Sequence, residues 1–274
     1  MNVTFIKPRP ELASHIESLW IFDSATGFPA TDRSIVAPNG CSRLIIPCQN
    51  SIVSVVNGQA RVSREAGLYF SGNRDSATLI SSSPRKTTFI GIEFFPQGAY
   101  PIFGIPMTET VNRLCETDLL LARWSRPVRD ALNDRQNVGE KVSVIQEQLI
   151  HLLRTNDRRN GIVDYCVQSL RATNGLMPIG KLAQKTGYSR RYLDMLFREH
   201  VGLAPKVLAG IFRFQKFYRR WAEGQPFDAL KNDLYECYYD QSHFTKEFQR
   251  MTGHAPGQFT SRVTNEFGRR LTLR

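Results

Sequence analysis

Residues Ile179 to His200 read IGKLAQKTGYSRRYLDMLFREH, and the punctuation of this stretch decides how the C-terminal part of the chain folds. Pro178 stands at the start of a short helical run ending at Thr186, where a fixed φ and a missing N–H are harmless. Gly187 supplies a turn, and Ser189 is a good N-cap for a second helix running to about His200. Gly202 then stops that helix, and Pro205 prevents it from continuing in the same direction. Leu193, Leu196 and Phe197 fall at i, i+3 and i+4, so they form the buried stripe. Arg190, Arg191, Asp194, Met195 and Arg198 lie on the other faces, available to a partner. Helix, tight turn and outward-facing second helix make a helix-turn-helix.

The same grammar recurs 51 residues later: Leu193 falls on Phe244, Phe197 on Phe248, Gly202 on Gly253 and Pro205 on Pro256. Phe244 and Phe248 repeat the buried spacing, leaving Gln241, Ser242, Thr245, Lys246 and Gln249 as a polar outer face. Between the copies, Val207 to Trp221 predicts a helix with Arg213, Lys216, Arg219 and Arg220 on its polar side. Arginine pairs bidentately with guanine in the major groove, and a helix N-terminus favours a phosphate. Two such helices in register suit double-stranded DNA, whose major groove recurs every ~34 Å.

Charge agrees with this placement. The 274 residues carry 36 Lys+Arg against 25 Asp+Glu, a formal +11. Residues 1–160 hold 18 basic and 15 acidic side chains, whereas 161–274 hold 18 and 10, so the excess lies mostly in the shorter C-terminal part. At 41% hydrophobic and 22% charged, the composition is that of a folded protein, and the length suggests two domains. The five cysteines, Cys41, Cys48, Cys115, Cys166 and Cys237, include no CxxC pair; neither a disulfide framework nor a zinc knuckle is expected, and a cytoplasmic setting fits. Leu19 to Phe22 lies between Glu17 and Asp23, too short for a leader, and no apolar run is long enough for a membrane span.

Up to about residue 95 the pattern is strand-like. Ser51 to Val56, then Asn57-Gly58, then Gln59 to Val62 predicts a hairpin on a type I′ turn. Short runs at Leu68–Phe70, Ala77–Ser81 and Thr87–Phe95 add strands, and the density of turns suggests a small barrel or sandwich. From about Gly139 to Arg154, Val142, Ile145, Gln146, Leu149, Leu152 and Leu153 form an apolar helical stripe that expects a neighbour or a second subunit. Asp157 to Gly161 reads as a linker.

Residues 162–265 resemble the tandem helix-turn-helix domain of AraC/XylS-type bacterial transcription regulators. Carrying the resemblance are Ile179-Gly-Lys-Leu-Ala183, Gly187 to Leu193, Phe197-Arg198, Gly202-Leu-Ala-Pro205, Arg213-Phe-Gln215, Tyr239 to Phe244, Phe248 and Gly253-His-Ala-Pro256. It implies that Arg191, Asp194 and Met195 touch bases, with Arg190 and Arg198 nearer phosphates, and that Gln241, Ser242, Thr245 and Lys246 act equivalently in the second unit; Arg213 and Gln249 complete the expected DNA-binding set. The chain departs from the family at Cys237-Tyr238-Tyr239, where a glycine usually precedes the aromatic, and Ala229 to Leu234 is more polar than usual. The N-terminal part is similar to the cupin-like sensor domain of one subgroup, through Pro38 to Cys41, Leu44 to Ile46, Phe70 to Gly72, Gly91 to Pro96, Gly98 and Gly104 to Pro106. The implied fold class is α+β and multidomain: a cupin-like β-barrel with accessory helices over 1–156, and an all-α tandem helix-turn-helix domain over 162–265.

The resemblance also implies a small-molecule effector, and admits RNA polymerase and a second copy of the chain as partners. Arg43, Arg74 and Glu93 lie in or near the expected strands and are candidates to meet a polar effector; alternation assigns their faces only once register is known. No metal and no cofactor are expected, because the five histidines include no His-x-His pair. Catalysis is not expected either: no Gly-x-Ser-x-Gly elbow, phosphate loop or His-Glu-x-x-His occurs. The competing readings are a DNA-repair alkyl transferase, which would need an activated thiolate and a four-cysteine zinc site that Cys41 and Cys48 cannot complete, and a small-molecule-binding protein that uses its helical half for assembly.

Overall fold

The computed structural model describes residues 1–29, 31–32, 34–56, 58–156, 158–225, 238, 240–262 and 265–273. The N-terminal part is built from strands β1 (Asn2–Ile6), β2 (Ile16–Ser24), β3 (Ile35–Val36), β4 (Ser42–Gln49), β5 (Ile52–Val56), β6 (Gln59–Ser63), β7 (Tyr69–Ser71), β8 (Thr78–Ser82), β9 (Thr87–Phe94) and β10 (Leu114–Glu116). A six-stranded sheet runs in the order β1-β2-β9-β4-β7-β10, and a four-stranded sheet in the order β3-β8-β5-β6. Every pairing is antiparallel. The expected hairpin is present, Val56 opposing Gln59, and Gly58 takes φ +77°; its companion Asn57 lies outside the described residues.

The larger sheet is buried on both faces, which is why β9 alternates between two cores instead of between core and water. Leu19, Leu44, Ile90 and Ile92 pack on α1 (Ala99–Phe103), α2 (Thr117–Asn133) and α3 (Val138–Asn156). Trp20, Phe22, Ile45 and Phe89 point the other way, toward Val36, Ile52 and Ile80 of the smaller sheet. Gly91 permits this: a Cβ there would lie 2.2 Å from the indole of Trp20, so only glycine lets the ring lie against β9. The apolar stripe of α3, including Val142, Ile145 and Leu149, is consumed inside the same chain, in the core shared with α1 and the large sheet.

The helical part comprises α4 (Gly161–Ala172), α5 (Ile179–Thr186), α6 (Arg190–His200), α7 (Pro205–Ala222), α8 (Gln241–Thr252), α9 (Pro256–Arg262) and α10 (Glu266–Thr272). Pro205 does not merely block a helix; it occupies the first turn of α7 and starts it. Leu193, Phe197, Leu208, Phe214, Phe217, Phe244 and Phe248 share one core, into which Ile35 and Ala37 of the strand-rich part also reach. α10 does the reverse. Its Phe267 and Leu271 leave the helical part and pack between the two sheets. A seven-residue helix has little intrinsic stability, and burying a Phe side chain contributes about 1.5–3 kcal/mol, so tertiary packing is what holds it.

Candidate nucleic-acid interface and effector cavity

The first helix-turn-helix consists of α5, a turn and α6. Gly187 ends α5 in the left-handed conformation at φ +73°, and the Ser189 hydroxyl accepts from the N–H of Tyr192 at 3.2 Å. Leu193, Leu196, Phe197 and His200 are buried, while Arg190, Arg191, Met195 and Arg198 are exposed and Asp194 is half-buried. Met195, 54% exposed, is an apolar side chain held in water at the centre of this face. Arg198 Nε donates to Asp194 Oδ2 at 2.7 Å, so part of its charge is engaged within the helix. The Arg190 guanidinium leans back toward Gly180 of α5, where a Cβ would meet it at 2.5 Å. Tyr188 and Tyr192 stack at the mouth of the turn, with ring centroids 4.9 Å apart.

In the second unit Asp240, not a serine, caps α8: its Oδ1 accepts from the His243 N–H at 2.7 Å. Phe244 and Phe248 face inward, and Gln241, Ser242, Lys246 and Gln249 are exposed with Thr245 half-buried. Cys237, Tyr239 and the polar stretch Ala229 to Leu234 lie outside the described residues.

The connecting helix differs from its expected role. Arg213, expected on a polar side open to DNA, is drawn inward: its Nη1 donates to the Gly175 carbonyl at 2.9 Å, and its guanidinium lies over the Tyr238 ring at 5.9 Å and near Glu247 at 3.9 Å. It ties α7 to α8 and to the turn after α4. Lys216 and Arg219 line a cavity of ≈ 120 Å³ shared with Arg43, Glu93, Arg171 and Gly268, so they face the strand-rich part. The cause is packing: the apolar side of α7 takes up the helical core, which leaves Lys216 and Arg219 beside Arg43 of β4 and Glu93 of β9.

The three candidates of the strand-rich part, Arg43 on β4, Glu93 on β9 and Arg74 in the loop after β7, all face the space between the sheets. Arg43 and Glu93 are cross-strand partners, with Arg43 Nε 2.5 Å from Glu93 Oε1. Ser18 donates to Glu93 Oε2 at 3.0 Å, and Arg43 Nη2 donates to Asn39 Oδ1 at 3.1 Å. Arg74 is different. It is 6% exposed, its Nε donates to Ser71 Oγ at 3.0 Å, and its Nη1 has no partner among the described residues. Burial, and then the charge of Arg43, depress its pKa from the ordinary guanidinium range to about 10. Arg43 and Arg74 border a remnant space of ≈ 30 Å³ walled by Trp20, Ile45, Ile52 and Phe89 and closed by Phe267 and Leu271. The last two were not singled out from sequence, although Asn265-Glu-Phe-Gly268 is a capped helix start that could have drawn attention to them.

The two halves are joined at several points. Asn73 Nδ2 donates to the Val201 carbonyl at 2.7 Å, Tyr100 donates to Glu199 Oε1 at 2.7 Å, and Gln215 Nε2 donates to the Pro38 carbonyl at 2.7 Å. The end of α6 is thereby fastened to the strand-rich part. Among the described residues no group of His, Cys, Asp and Glu could hold a metal ion, and no helix is long and apolar enough to cross a membrane.

Comparison with known proteins places these features in families. Residues 182–262 match the family described as a helix-turn-helix domain, and residues 4–116 match a domain of unknown function, DUF6597. No curated protein matches the chain. Among solved structures, ToxT from Vibrio cholerae O395 is similar at 10% identity, covering 90% of this chain and 97% of that one with a TM-score of 0.44. Over 34% of this chain, a cupin superfamily protein from Desulfitobacterium hafniense DCB-2 is similar at 11% identity, 76% coverage of that chain and a TM-score of 0.27. The EutQ protein of Clostridium difficile is similar over the same share of this chain at 13% identity, 67% coverage of that chain and a TM-score of 0.25.

Proposed function

Because the chain carries an AraC-type helix-turn-helix domain behind a β-rich N-terminal domain, we propose that it is a sequence-specific regulator of transcription whose DNA contacts are gated by a small-molecule effector. The units are 1–156, which senses, and 162–265, which binds double-stranded DNA. In this reading α6 lies in one major groove, with Arg191, Asp194 and Met195 against base edges and Arg190 and Arg198 on phosphates; α8 lies in the next, through Gln241, Ser242, Thr245, Lys246 and Gln249. The observation that carries it is the geometry of α6: an N-capped helix behind a left-handed glycine turn, anchored by Leu193, Leu196 and Phe197, with a basic opposite face open to water.

Arg43, Arg74 and Glu93, at the charged end of the inter-sheet space, form the effector end, and their position beside α7 gives an effector a short route to the DNA-binding unit. No catalytic step is required, the setting is the cytoplasm, and RNA polymerase and a second copy of the chain are partners consistent with this role. Genome-wide footprinting with the purified protein over a salt series tests the reading. Discrete protected sites whose occupancy falls steeply with salt are expected. Occupancy independent of salt, or no protected site at any salt, would instead favour a helical half used only for assembly.

A further inference from the structure

The space between the sheets is occupied by the protein itself. Phe267 is fully buried among four aromatic rings from the β-rich part, with centroids 5.0 Å from Phe28, 5.4 Å from Phe22, 6.3 Å from Trp20 and 6.5 Å from Phe89. Leu271, one turn later, closes the same space beside Arg43 and Arg74. What remains, ≈ 30 Å³, has room for little more than water. The plug is also wired to the other half: Asn265 Nδ2 donates to the Tyr218 hydroxyl at 2.9 Å, and Arg269 donates twice to the carbonyl of Ala222, at the end of α7.

The wall of the space is polar at one end and apolar at the other. Among the residues lining it, two buried donors, Arg74 Nη1 and the indole N–H of Trp20, have no acceptor among the described residues, and Ser54, Ser71 and Thr78 line it too. A buried guanidinium normally has an acid partner; Glu93 serves Arg43, and no carboxylate is paired with Arg74 among the described residues. Native interiors rarely leave such donors unmatched, and an anion is the acceptor that best suits a guanidinium.

We infer that α10 is a resident occupant of the effector cavity, and that the effector is a small amphipathic carboxylate which sets its charge on Arg74 and its apolar body in the place of Phe267 and Leu271. This rests on the effector reading above and adds both the ligand class and the means of regulation. Binding expels α10 from between the sheets, and with it go the Asn265 and Arg269 tethers that hold α7 against the β-rich part. Displacement lowers apparent affinity by the fraction of molecules in which the plug is out.

The test uses the full chain, with phenylacetate as the probe and phenylacetamide as its uncharged twin. Titration calorimetry is run on wild type, Phe267→Ala and Arg74→Met, and hydrogen exchange is followed over residues 265–273. The expected result is that Phe267→Ala binds phenylacetate about tenfold or more tighter than wild type. Phenylacetamide binds weakly, and Arg74→Met abolishes the preference for the charged ligand. Saturating phenylacetate raises exchange in 265–273 of the wild-type chain. Should Phe267→Ala fail to fold, Leu271→Ala opens the same space more gently and is read in the same way. Equal affinity for acid and amide in the opened variant, no binding there, or unchanged exchange with ligand bound each overturns the inference. DNA footprinting on the same preparations keeps the outcomes apart: loss of the plug result with intact footprints sinks this inference alone, and absent footprints sink the regulator reading.

Discussion

The side-chain amide of Asn265 bonds both backbone groups of Ile35: Oδ1 accepts from the Ile35 N–H at 2.7 Å, and Nδ2 donates to the Ile35 carbonyl at 2.9 Å. β3 is an edge strand, and across 230 residues of chain this one side chain stands in for the neighbouring strand it lacks. Asn265→Leu leaves both groups buried and unpaired, at a cost of about 2–6 kcal/mol, since each orphaned group costs about 1–3. Urea denaturation measures it; a loss under about 0.5 kcal/mol, the size of an ordinary surface substitution, would contradict the role.

Asp194 restrains Arg198 through the 2.7 Å bond within α6. Removing it with Asp194→Ala costs the helix only about 0.3–0.5 kcal/mol and frees a cation for phosphate. Affinity for random duplex is expected to rise, and the slope of log K against log salt to steepen by up to about 0.9 as Arg198 is released fully to its phosphate. Arg191→Ala, by contrast, is expected to lose about 1–3 kcal/mol of discrimination at a single base pair. Fluorescence anisotropy on cognate and random duplexes separates the two, and equal losses on both for Arg191→Ala would argue against base contact.

His200 packs against Tyr100 with ring centroids 4.1 Å apart, at the seam between the halves. Burial holds its pKa below the ordinary 6.5, outweighing the opposite pull of Glu199. The unfolded chain therefore takes up a proton near pH 6.5 and the folded chain only at lower pH. Stability is constant above that range from this group and falls as the solution is acidified below it. Thermal melts from pH 8 to 5 are expected to show this decline, and His200→Phe to diminish it; an undiminished acid limb in the variant would assign the decline to other groups.

Arg43 and Glu93 form a buried pair, 10% and 1% exposed at the side chain. Glu93→Gln strands the guanidinium and is expected to cost about 3–5 kcal/mol, whereas the double replacement Arg43→Met with Glu93→Leu recovers most of that loss. Equilibrium unfolding of wild type, Arg43→Met, Glu93→Leu and the double variant in a cycle reads the coupling, and additive losses would show that the two charges act independently.

Much of the helical half was legible from local signals. Pro178, Gly187, Ser189 and Gly202 bound α5 and α6 within a residue or so of where the sequence places them, because caps and turns act over one helical turn. The Asn57-Gly58 hairpin and the α3 stripe were legible for the same reason. Arg213 was not: its position on a helical wheel says polar, and only the nearness of Gly175 and Glu247, 38 and 34 residues away along the chain, turns it inward. The inward orientation of Arg43 and Glu93 depended on strand register, which β2, β9 and β4 establish jointly, and that of Arg74 on the path of the loop between β7 and β8.

By itself, then, the sequence determined the first helix-turn-helix, the capped helix α8 that repeats its buried spacing, the strand-rich first half and the uneven distribution of positive charge, since each follows from residues within a few positions of one another. The tertiary structure alone decided that Lys216 and Arg219 of α7 face the strand-rich part, that Arg74 is buried with no acid paired to it among the described residues, and that Phe267 fills the space between the sheets. Seven residues with two apolar side chains one turn apart carry no periodic signal strong enough to name a partner. What selects that partner is the apolar area removed from water when Phe267 meets Trp20, Phe22, Phe28 and Phe89, residues more than 170 positions earlier, and that quantity exists only once the sheets have formed.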